Sequence, residues 1–138
     1  MIARQFTVHE ANQLLEPLRE LLTTLQSLQR QARLKYEEMR DIREVGYRKD
    51  GNLIMLSDYQ LAKQEFDQVV AEANGVLAEI NQMGCRVTDV EMGLVDFPSE
   101  REGEPIYLCW KMGEPSVLYY HGVDEGFSGR KRLESSSD

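Results

Sequence analysis

A seven-residue apolar repeat runs through the first third of the chain, and few folds accommodate it. One seam is Ala11, Leu18, Leu25, Ala32 and Met39; the other is Leu14, Leu21, Leu28, Lys35 and Ile42. Nine of these ten positions are apolar, with Lys35 the exception. A helix carries such a stripe when another helix covers it lengthwise. Thr7-Val8-His9-Glu10 opens the segment as a capping box, with Thr at the N-cap and Glu three residues on. Pro17 interrupts it, since proline lacks a backbone donor and crowds the preceding turn. The spacing predicts a helix over residues 7–45, kinked near residues 15–16 or split so that Pro17 opens the long part.

A second repeat follows a break at Gly46 and Asp50-Gly51-Asn52. Ser57-Asp58-Tyr59-Gln60 reads as another capping box, and the seams Tyr59, Phe66, Ala73, Ile80 and Ala62, Val69, Val76, Met83 predict a helix over residues 57–83 stopped by Gly84. The two helices should fold back antiparallel, with Met39 near Ala62 and Leu25 near Val76. Leu15, Leu22, Val70 and Leu77 widen the apolar faces at one end. The hairpin therefore has a thick apolar base and a thin charged tip, and it should project or pair with a second copy.

After Gly84 the period changes to two. Strands are expected over residues 85–90, 94–97, 106–111 and 117–121, with a polar loop at 99–105 and a loop and tail over 122–138. The predicted fold class is α+β: one domain, residues 1–138, in which a long antiparallel α-helical hairpin, coiled-coil-like, carries a small antiparallel β-meander on its base. Pairing Cys109 with Tyr119 and Tyr107 with His121 would put Ile106, Leu108, Trp110, Leu118 and Tyr120 on the core face. Tyr107, Cys109, Tyr119 and His121 would share the other.

The formal charge of −8 over 138 residues makes general nucleic-acid or anionic-membrane binding unlikely on electrostatic grounds. No apolar run approaches the roughly 18 residues of a membrane span. Two cysteines are too few for a disulfide scaffold, which suggests a cytoplasmic protein with reduced thiols.

Several motifs together carry a resemblance. Thr7-Val8-x-Glu10-Ala11-Asn12-x-Leu14-Leu15 is followed by Gly93-Leu94-Val95-Asp96-Phe97-Pro98 and Tyr107-Leu108-Cys109-Trp110. Gly113-Glu114, Tyr120-His121 and Gly126-Phe127-x-Gly129-Arg130 complete the set. The pattern resembles a bacterial family, domain of unknown function 2203, over nearly the whole chain up to Arg130. The resemblance implies identity and no activity. Gly122 stands where members of that family often carry an acidic residue, which weakens any site needing a carboxylate there.

The chemistry-bearing residues concentrate in the last third. His121 with Asp124 and Glu125 forms a candidate divalent-metal site, since imidazole plus carboxylate suits zinc, manganese or iron. Glu114, Tyr119 and Arg130 are candidate ligand-binding residues. At the tip, residues 30–50 hold seven Lys or Arg against five Asp or Glu, and Arg40 and Arg43 are candidate interaction residues. No residue is assigned as catalytic, and an enzyme is the less favoured reading. The leading expectation is an interaction or structural module: a self-associating hairpin, homodimeric through Leu14, Leu15, Leu18, Leu21, Leu22 and Leu25, that presents a surface to a protein partner. The alternatives are a small metal- or ligand-binding protein centred on His121 and, more weakly, an RNA-associated arm using the tip.

Overall fold

The computed structural model describes residues 4–133; the last five residues of the expected tail, 134–138, lie outside them. Three helices precede five strands: α1 (Val8–Gln13), α2 (Leu15–Val45), α3 (Leu56–Gln82), β1 (Arg86–Asp89), β2 (Leu94–Arg101), β3 (Glu104–Lys111), β4 (Tyr119–Gly122) and β5 (Lys131–Arg132). Two long helices and an antiparallel sheet make the fold α+β, as the sequence predicts. The chain divides into two compact units, residues 24–76 and the remainder.

Residues 24–76 form a helical hairpin. Met39, Ile42 and Ala62 form its buried centre, with Met55, Tyr59 and Phe66 packed around them. Lys35, the one polar seam residue, keeps its place by carrying its ammonium out to two carboxylates, Glu65 at 3.1 Å and Glu38 at 3.3 Å. Its aliphatic stem covers apolar surface while the charge stays wet. The bond to Glu65, then that to Glu38, raises the Lys35 pKa. Between the helices Tyr47 and Leu53 form a β-bridge, closed by Gly51 at φ +91°. The helix α3 begins at Leu56, ahead of the Ser57 cap: the Tyr59 amide donates to Met55 O and adds an earlier turn.

The other unit holds α1, the ends of α2 and α3, and the sheet. The capping box at Thr7 is present in both directions, Glu10 N to Thr7 Oγ1 at 3.1 Å and Thr7 N to Glu10 Oε1 at 2.8 Å. The helix breaks at Leu14, so the short-first-helix form of the expectation holds, with Pro17 in the first turn of α2. Backbone donors there lack intrahelical partners in any case, so proline costs little. Leu15, Leu18 and Leu22 are buried. The sheet order is β1-β2-β3-β4-β5, antiparallel throughout.

Two expectations fail in the sheet. Residues 99–105 are not a loop: β2 and β3 pair continuously from Leu94↔Lys111 to Arg101↔Glu104 about a two-residue turn, Glu102-Gly103, at φ +53° and +81°. The segment after His121 is not a simple tail, since it contains a 3-10 turn (Phe127–Gly129) and β5. Val95, Phe97, Ile106, Leu108 and Trp110 fill the core, where Phe6 meets Phe97 edge-on at 5.3 Å.

Candidate metal centre

The expected register of β3 and β4 is the observed one: Cys109↔Tyr119 and Tyr107↔His121. The second pairing, Asp96↔Cys109, adds a residue from β2. Side chains on one face of a sheet meet across strands and along diagonals. Asp96, Cys109 and His121 thus gather on the face opposite Trp110, with their ligand atoms all within 4.8 Å of one another. Strand alternation alone would leave this face to solvent. The segment that follows β4 folds back over it, and Glu125, Gly126 and Phe127 line the cavity that results, about 320 Å³. The three residues are 3%, 1% and 2% exposed, respectively.

Hydrogen bonding fixes the histidine. Its Nδ1 lies 2.8 Å from Gly122 O, and a carbonyl only accepts, so Nδ1 carries a proton. That leaves Nε2 facing Asp96 Oδ1 at 3.0 Å. A neutral ring has one N–H, already used, so a second cation is needed between the bare Nε2 and the carboxylate. A shared proton supplies it, and a metal ion supplies it equally. Arg86 approaches the far carboxylate oxygen at 4.0 Å and lies over the Tyr107 ring.

Burial pushes the Cys109 thiol up to about 11, and the neighbouring Asp96 adds to the shift while Arg130 opposes it. A thiol held protonated is not an activated nucleophile. Both imidazole nitrogens are directed at oxygens, so a Cys–His nucleophilic pair is not assembled either. As a donor set, however, thiolate, imidazole and carboxylate match zinc, whose tetrahedral shell would set these atoms roughly 3.3–3.6 Å apart. From ligand atoms within 4.8 Å of one another, that spacing is reached by closing the widest gap by no more than roughly 1.2–1.5 Å.

Of the residues singled out from sequence, His121 is in this centre. Glu125 lines the same cavity but is tied down, accepting from Gly122 N at 2.8 Å and from Lys131 at 3.4 Å, which holds its carboxyl below the usual range. Asp124 is exposed on the turn and does not line the cavity. Asp96 and Cys109 take the place expected for the two loop acids. Glu114, Tyr119 and Arg130 are brought together, but they satisfy one another: Arg130 pairs with Glu114, lies 3.7 Å from the Tyr119 ring and reaches Cys109 Sγ at 3.8 Å. Glu114 also accepts from the Lys111 amide at 2.8 Å. Arg40 and Arg43 are exposed on α2. The signal for Asp96 was its place in a strand able to pair with the Cys109 strand.

No described helix is long and apolar enough to cross a membrane. Comparison with curated proteins and with solved structures finds no match. The model of a family described as an uncharacterized conserved protein, DUF2203, matches residues 4–133, and to that family the chain belongs.

Proposed function

We propose that this chain is a divalent-metal-binding protein, with zinc the best fit, held by Asp96, Cys109 and His121. The observation that carries the reading is the oriented histidine. Its Nδ1–H is committed to Gly122 O, which is how metal-ligating imidazoles are commonly held, and this turns Nε2 toward a buried carboxylate. Charge agrees: one dication against a thiolate, a carboxylate and a neutral imidazole sums to zero, which a buried site favours. Three protein donors leave a coordination position free for a water or a ligand entering from the cavity. A thiol ligand suits a reducing, cytoplasmic setting, and both cysteines are free. Cobalt titration tests the proposal. Thiolate-to-cobalt charge-transfer absorption should appear at one equivalent and vanish in Cys109→Ser and His121→Ala. A titration without that band, or a band that survives both changes, would overturn it.

A second reading keeps the hairpin as a self-associating module. Leu14 and Leu21, both seam residues, are only half-buried in the single chain, which supports a face completed by a second copy. Light scattering on a sizing column tests it: a mass of one chain at all working concentrations would refute the dimer.

A further inference from the structure

Over residues 35–45, α2 sorts its charges. At 100° per residue, Arg40 and Arg43 lie roughly 120–180° around α2 from Leu34. Glu37, Glu38 and Asp41 fall instead within about 60° of it. On this second flank a groove of about 420 Å³ runs between the two helices. Ile42 and Met55 form its apolar floor, and Leu34, 65% exposed, stands at its rim. Glu37, Glu38 and Asp41 line it from α2, and Asp58 joins them from the first turn of α3. Among the lining residues there is no Lys or Arg. Glu38 has Lys35 as a partner, and Asp41 has the neighbouring Arg40 at 3.7 Å, with both side chains of that pair well exposed.

We propose that this groove docks a basic amphipathic segment of a partner protein. Two observations point the same way. A large apolar side chain left in water at the rim of an apolar trough offers area for an anchor. Four carboxylates around that trough repel one another and are relieved by cations, so the partner's anchor is flanked by Lys or Arg. From Leu34 to Asp41 is about 10 Å along the helix, the length of two turns, so one short helix covers it. The same carboxylates repel nucleic acid, so the groove suits a basic peptide and not RNA. The proposal is independent of the metal centre.

The probe is a synthetic helical peptide of leucine and lysine with its leucines on one face, set against a scrambled peptide of the same composition. The chain is acidic, so both peptides have some affinity for it, and the comparison decides. Ile42 and Met55 methyl resonances should shift on titration with the amphipathic peptide, and the scrambled peptide should bind at least about fivefold more weakly. Paired Glu37→Gln and Asp41→Asn should weaken binding about tenfold, as should Leu34→Ala, whose exposed side chain can be truncated without disturbing the fold. Paired Glu79→Gln and Glu104→Gln change the net charge equally at exposed sites elsewhere and should leave affinity alone. Equal binding of the two peptides would overturn the proposal, as would equal loss in the remote and groove variants. If the chain alone forms a larger species that Glu37→Gln with Asp41→Asn returns to one chain, the occupant is a second copy, and the partner proposed here is wrong.

Discussion

Replacing Asp96 by Asn separates a metal site from a structural hydrogen bond. In the metal-free chain the carboxamide N–H can donate to His121 Nε2 while Nδ1–H stays on Gly122 O, so every buried polar atom keeps a partner. Exchanging one satisfied arrangement for another should change stability by less than about 1 kcal/mol. Asp96→Ala instead strands a buried ring nitrogen and should cost about 1–3 kcal/mol. Zinc reverses the ranking. At a free concentration of 100 times its dissociation constant, zinc stabilises the unmutated protein by about 2.7 kcal/mol. With 138 residues, each contributing about 2.1 cal/mol/K of unfolding entropy, that raises a single melting transition by roughly 9 °C. An amide oxygen replaces a carboxylate poorly as a zinc ligand. A loss of about 100-fold in affinity, the upper end even for outer-shell changes, leaves about 0.4 kcal/mol and a shift near 1 °C. Scanning calorimetry on chelator-treated protein, with and without zinc, reads all four quantities. A zinc shift as large in Asp96→Asn as in the unmutated chain would refute the assignment of Asp96. A metal-free Asp96→Asn as unstable as Asp96→Ala would refute the hydrogen-bond reasoning.

Urea melts should give a loss of about 2–5 kcal/mol for Leu18→Ala, which empties a fully buried position, against less than about 0.5 for Leu34→Ala. Equal losses would refute the helical register. Gly93 sits at φ +70°, and a Cβ there would lie 2.6 Å from that of Met112, so Gly93→Ala should cost more than Gly51→Ala, which has φ +91° but open space; denaturant midpoints compare them. Burial also pushes the Cys85 thiol up to about 11. The unfolded chain then ionises first as pH rises, so stability should fall between about pH 9 and pH 11, and Cys85→Ala should flatten that slope in alkaline denaturation curves.

Much of the helical half was legible because its signals are local. The heptad marks Leu18, Leu25, Met39 and Ile42 as buried, and they are. The capping box at Thr7 is made by residues three apart. Lys35 shows why one polar seam residue need not break the pattern. The sheet was harder where tertiary contacts override local rules. Pro98 argues for the end of a strand, yet β2 runs through it, because β1 has already ended and the open edge is met by Phe6, whose amide donates to Pro98 O at 2.7 Å. The Glu102-Gly103 turn hides for a similar reason. It needs positive φ at both positions, and glutamate rarely advertises that conformation.

The Asp96, Cys109 and His121 cluster was half legible, and the missing half is instructive. The expected strand register already put Cys109 and His121 on one face. Along the sequence, the acids nearest His121 are Asp124 and Glu125, three and four residues on. A sheet supplies neighbours from across its strands, and Asp96 is 25 residues from His121 along the chain. Finding it required the β2–β3 register, which the turn at residues 102–103 sets. Burial required something further, the fold-back of the segment after β4, since an alternating strand pattern assigns that face to water. The cover is what gives the cluster its chemistry. Exposed to solvent, an aspartate beside a histidine is an ordinary weak pair. Buried beside a thiol, the pair sets a ring nitrogen 3.0 Å from a carboxylate oxygen, a gap that a proton or a metal ion bridges, so zinc would bind there by displacing a proton.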